Sequence, residues 1–192
     1  MNRLTLAACA LLALAACRTE EAALPAPATL TADALDTYCQ MVVIEHPGPK
    51  GQIHLKGQAE PLFFAQVRDA IAYQRMPEQS APIAAAYVSD MGAPGATWDQ
   101  PGTDNWIPAD TAFYVEGSAL SGGMGAPELV PFGAREQAAA FAEVNGGRVL
   151  RLDEIPDRDV LAPVPSGEDP APDGAEADYL ERLHAIAPEG EG

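Results

Sequence analysis

The stretch TAFYVEGSALSGGMGAPELVPFGAREQAAAFAEVNGGRVLRL, residues 111–152, decides the fold. Thr111 to Glu116 (TAFYVE) carries the aromatic and branched residues of a strand, and Ala126 to Phe132 reads as its extended return. Arg135 to Val144 places Ala138, Phe141 and Ala142 on one helical face, and Asn145-Gly146-Gly147 stops that helix. Arg148 to Leu152 (RVLRL) closes with a further strand. The unit is therefore strand, strand, helix, strand.

The same order recurs upstream. Tyr38 to Glu45 (YCQMVVIE) and Gly51 to Lys56 (GQIHLK) read as strands, and Glu60 to Tyr73 as a helix with Phe63, Val67, Ala70 and Ile71 on one face. Ile83 to Val88 (IAAAYV) follows as a strand. The expected fold class is α+β: a small domain over residues 32–152 made of duplicated ββαβ units, about 36–90 and 106–152. The connection from Ser89 to Ala109 is rich in Gly, Pro and Asp but carries Trp98 and Trp106. Rings of that size are costly to leave wet, so this linker is expected to be packed, its tryptophans serving as core or lid.

Outward from the domain, the termini are of a different kind. Asn2 and Arg3 precede an apolar run from Leu4 to Ala16, which is too short to span a bilayer and reads as a signal peptide over residues 1–16. Leu14-Ala15-Ala16-Cys17 resembles a bacterial lipobox, so cleavage before Cys17 and lipidation of its sulfur and new amino group are expected. Several acyl chains on one residue anchor stably. Residues 17–31, rich in Ala, Pro, Glu and Thr, read as a flexible tether. Residues 153–192 hold twelve acidic residues against Arg158 and Arg182, and read as a mostly disordered tail with one short helical patch, residues 175–187. The expected location is the periplasm, tethered by lipid to a membrane; Arg18 rather than Asp after the lipidated cysteine favours the outer one.

Lys and Arg number 11 against 28 Asp and Glu, a net charge of −17, which leaves no footprint for gripping nucleic acid. The chain has 3 cysteines, too few for a disulfide scaffold or a structural zinc finger. One leaves with the signal peptide and one is lipidated, so Cys39 is the single free thiol of the exported chain. In an oxidising compartment such a thiol calls for a reason. Read on a strand, Cys39 and Met41 project from one face about 6–7 Å apart at Cα. Thiolate and thioether are soft ligands that select copper(I).

A third soft donor is offered by Met124 in Ser121-Gly122-Gly123-Met124-Gly125-Ala126-Pro127. Three glycines around a methionine contribute nothing to a packed core, but they permit close approach and an adjustable thioether. A gap-filling core methionine is the competing reading. His46, at the end of the Cys39 strand, His54, on the neighbouring strand, and Met91 are possible accessory ligands. No HExxH, Gly-x-Ser-x-Gly, phosphate loop or dinucleotide fingerprint occurs, and the acidic residues are spread as solvation, so the chain is not expected to be an enzyme. The rival to a metal carrier is a non-metal interaction lipoprotein that acts as an assembly factor or dimerises through Cys39.

The lipobox, Cys39-x-Met41, and the run Phe113-Tyr114-Val115-Glu116-Gly117-Ser118 leading into Gly123-Met124-Gly125-Ala126-Pro127-Glu128-Leu129-Val130-Pro131-Phe132 resemble the NosL family, the nitrous oxide reductase accessory lipoproteins of denitrifying bacteria. The resemblance covers roughly Leu30 to Leu152. It implies a duplicated ββαβ fold and a periplasmic copper(I) chaperone that delivers metal for the copper centres of nitrous oxide reductase. It further implies the membrane ABC-type maturation complex NosDFY as a partner, and it places family ligands on Cys39, Met41 and Met124.

Overall fold

The computed structural model describes residues 24–163. The signal peptide, Cys17, the first part of the tether and the tail beyond residue 163, with its helical patch, lie outside the described residues.

The first unit is β1 (Gly51–Leu55), β2 (Leu62–Phe64), α1 (Val67–Arg75) and β3 (Ile83–Ser89), extended by a short β4 (Trp106–Pro108). The second is β5 (Phe113–Glu116), β6 (Val130–Phe132), α2 (Arg135–Asn145) and β7 (Arg148–Leu150). A last helix, α3 (Asp157–Leu161), follows. The sheets run β2-β1-β3-β4 and β6-β5-β7, all antiparallel. In both, the first strand of the unit lies between the second and third, so the architecture is α+β with the ββαβ order twice.

Two boundaries inside the first unit differ from the sequence reading. The Tyr38 to Glu45 segment is not a ladder strand: it turns at residues 37–39 and winds through a single 3-10 turn, Val43–Glu45. Its strand place is taken by β1 and β2. The expected helix from Glu60 splits, because Leu62-Phe63-Phe64 pairs with β1 and Gln66 stays extended (φ −131, ψ 141) before α1 begins. Phe63 therefore belongs to the sheet.

Each unit has its own apolar cluster. Ile53, Leu55, Phe64 and Ala70 pack in the first, and Val115, Val130, Phe132 and Ala138 in the second. Gly51 lets α1 approach β1, since a Cβ there would lie 2.4 Å from that of Ala70. Between the units lies a shared core of Val67, Ile71, Val88, Ala112, Tyr114 and Leu129, with Ile155 and Val160 buried in it. Trp98 packs against Gly48, whose N–H donates to the Trp98 carbonyl at 2.6 Å, while Trp106 enters β4.

The packed region also reaches beyond both expected domain edges. Ahead of residue 32, the Pro25 carbonyl accepts from the Tyr87 hydroxyl, Ala28 exchanges two hydrogen bonds with the Gln52 side chain, and Leu30 is buried. After residue 152, the Arg68 guanidinium donates to the carbonyls of Asp159 and Ala162, and Arg75 to those of Leu152 and Ile155. Residues 153–162 are thus a strap over the shared core rather than the start of the tail.

Candidate metal site

Cys39 sits on a turn built by Asp36. That carboxylate is 1% exposed, and its Oδ1 accepts the N–H groups of Tyr38 at 2.8 Å and Cys39 at 2.9 Å. The Asp36 N–H donates to the Met41 carbonyl, and the Gln40 N–H to the Asp36 carbonyl. Closing the loop puts Gln40 at φ 59, a left-handed conformation uncommon outside glycine. Strand alternation therefore does not relate Cys39 and Met41; a tight turn carries both. Cys39 is half-buried, and the Met41 side chain is 51% exposed.

Met124 lies at the tip of a second turn. The Gly125 N–H donates to the Gly122 carbonyl and the Gly122 N–H to that of Ala126, leaving Met124 44% exposed. A Cβ on Gly123 would stand 2.6 Å from that of His46, and one on Gly122 would stand 2.5 Å from Gln66 Oε1. Only glycine lets the loop lie this close to the first unit.

Both turns attach to one short piece of backbone. Asp36 Oδ2 accepts the Ala65 N–H at 2.7 Å, and Gln66 Oε1 accepts the Met124 N–H at 3.0 Å. Ala65 and Gln66 are consecutive, at the junction of β2 and α1. Beneath them, the fully buried Lys50 ammonium donates to the carbonyls of His46, Pro47 and Ala65. Burial lowers its pKa to about 8. From the second unit, the Glu128 carboxylate accepts the N–H groups of Val67, Arg68 and Leu129. Burial pushes its pKa up to about 8 against the pull of those hydrogen bonds.

His46 joins the two arms. Its Nδ1 is 3.2 Å from the Gly123 carbonyl, which can only accept, so the ring proton belongs on Nδ1. Nε2 is buried with no hydrogen-bond partner. His54 is placed differently: its Nε2 pairs with Gln52 at 2.9 Å and its ring meets Tyr87 edge-on. It lies on the β1 face that the 25–30 segment covers, where desolvation lowers its pKa. Met91 packs against the second unit's core, and its N–H donates to the Pro131 carbonyl. Cys39, Met41, His46 and Met124 thus stand on segments bonded to the β2–α1 junction, while His54 and Met91 lie on other segments.

Among the described residues, no three His, Cys, Asp or Glu side chains converge as a metal cluster. A metal held at this junction would draw on methionine sulfur, a donor set that suits soft, monovalent ions. Asp36, Lys50, Gln66 and Glu128, which organise the site, were not singled out from sequence. Only Asp36 left a local trace, an aspartate two and three residues ahead of the amides it binds.

The NosL family model matches residues 27–160. The chain is 58% identical over 184 residues, 96% of its own length and 94% of the relative's, to a copper-binding lipoprotein NosL of Achromobacter cycloclastes. It is 37% identical over 142 residues, 71% of this chain and 72% of the relative, to a copper-binding lipoprotein NosL of Stutzerimonas stutzeri. The crystal structure of the copper chaperone NosL from Shewanella denitrificans is similar, with a TM-score of 0.62 at 32% identity, covering 69% of this chain and 96% of that one.

Proposed function

The chain belongs to the NosL family, and on that premise we propose that it is a lipid-anchored periplasmic carrier of copper(I). It receives the ion on Cys39, Met41 and Met124 and releases it for assembly of the copper centres of nitrous oxide reductase, by way of the NosDFY membrane complex. Cys17 is the lipidated residue. The observation that carries the reading is the pairing of a half-buried thiol with two exposed thioethers on turns fixed to one junction.

The thiolate is the anchoring ligand, and the thioethers are weak, exchangeable ones. A carrier has to give up its cargo, so few ligands on solvent-reachable turns suit it better than a closed cage. Transfer proceeds through intermediates in which an acceptor ligand enters before a methionine leaves. His46 contributes to the site by bracing the methionine loop through its Nδ1 contact with the Gly123 carbonyl.

Cys39→Ser is expected to abolish tight copper(I) binding measured in competition with a chromophoric chelator. Unchanged affinity would end the assignment. Met124→Ala is expected to weaken binding and remove one sulfur from the copper X-ray absorption spectrum.

A further inference from the structure

We propose that Gln66 is the positioning residue of the site: its buried carboxamide holds the backbone of Met124 in the register at which the thioether meets copper(I) on Cys39. The inference rests on the assignment of Met124 as a ligand.

Gln66 occupies the N-cap position of α1, where a polar side chain ordinarily turns back to satisfy its own helix, yet it makes no such bond. Glu128 does that work from the other unit, by accepting the Val67 and Arg68 N–H groups. Gln66 is thereby freed to face outward from the helix end. It is 2% exposed, its Oε1 accepts the Met124 N–H at 3.0 Å, and its Nε2 donates to Asp69 Oδ2 at 2.8 Å. The carboxamide is therefore oriented at both ends, and the tie to Asp69 makes oxygen, not nitrogen, the atom presented to the loop.

Such a tie is needed because of the loop's composition. Gly122, Gly123 and Gly125 surround the methionine, and each ordered glycine gives up more backbone freedom than any other residue. Glycines permit the approach but do not fix it. The Cys39 arm is anchored one residue earlier, through Asp36 and the Ala65 N–H. Gln66 thus references the second arm to the same rigid backbone as the first, so that thiolate and thioether keep a constant separation before copper arrives.

The test is a double-mutant cycle on the full-length protein: wild type, Gln66→Ala, Met124→Ala and the double variant. Copper(I) affinity is read against a chelator, sulfur coordination by X-ray absorption, and apo stability by thermal unfolding. Gln66→Ala is expected to weaken copper(I) about tenfold and to lower the sulfur count as Met124→Ala does, about 1.4 kcal/mol by the tenfold rule. The double variant should bind no more weakly than Met124→Ala alone, because Gln66 acts through Met124. Wild-type affinity in Gln66→Ala, or losses that multiply in the double variant, overturn the proposal. If Met124→Ala itself binds copper(I) unchanged, the ligand assignment fails and the proposal falls with it, a result distinct from failure of Gln66 alone. Should Gln66→Ala not fold, Gln66→Asn keeps the polar group but draws it back by one methylene and is expected to give the same loss.

Discussion

Asp36 illustrates how a single side chain can replace a secondary-structure element. One buried carboxylate satisfies the N–H groups of Tyr38, Cys39 and Ala65 and sets the turn on which the thiol stands. Replacing it with Ala leaves three amides without an acceptor, and a buried unsatisfied group costs about 1–3 kcal/mol. Asp36→Ala is therefore expected to lower stability by roughly 3 kcal/mol in urea titrations, part of the penalty being relieved by water. The same variant should make Cys39 react faster with a thiol reagent, since its turn is no longer held. Cys39, Met41 and Met124 stand out in the sequence as candidates because soft donors are rare and distinctive. Their setting was not. The apolar run Met41-Val42-Val43-Ile44 mimics a strand, and the aspartate that overrides it acts locally through hydrogen bonds that periodicity does not register. Gln66 and Glu128 are ordinary polar residues in sequence, and their partners lie in the other half of the chain.

Among the elements, α2 was readable to its end, because Asn145-Gly146 requires a stop and Gly146 adopts φ 75 with its N–H on the Ala142 carbonyl. The start of α1 was not, because its cap arrives from another unit. Glu128 completes the first turn of α1 by presenting its carboxyl oxygens to the free N–H groups at the start of the helix. Its folded pKa, about 8, exceeds the ordinary 4.5, since burial disfavours the charged form. The folded state then binds the proton more tightly than the unfolded one. This contribution is fully present below the unfolded pKa and is lost as pH rises through the folded one. The urea midpoint of the apo protein is expected to fall between about pH 5 and about pH 8.5, and Glu128→Gln should flatten that slope. A slope unchanged by the substitution would assign the titration to another group.

At the scale of the whole molecule, composition placed the domain's end at residue 152, because acidic residues and prolines dominate the chain beyond it. The physical edge lies further on. Ile155 and Val160 are each under 5% exposed, and Arg68 and Arg75 bind the strap's carbonyls. Two apolar residues five apart in an acidic segment are too sparse to raise a pattern, although burying each contributes about 1.5–3 kcal/mol. Truncation after Leu152 is expected to lower the apo unfolding temperature clearly, while truncation after residue 163 should spare these contacts. Differential scanning calorimetry separates the two.

The duplicated topology invites a view of two interchangeable copies, but the cap on α1 contradicts it. The first unit begins its helix on a carboxylate that belongs to the second, and the second seats its methionine loop on a glutamine that belongs to the first. Cut at the exposed Gly95, the chain would yield one fragment that holds the thiol but lacks the cap of its helix, and another that holds the loop methionine but lacks the glutamine that ties it. On the proposed ligand set, copper coordination would be a logical conjunction, requiring both fragments present and docked, and metal uptake would then read out complementation between them.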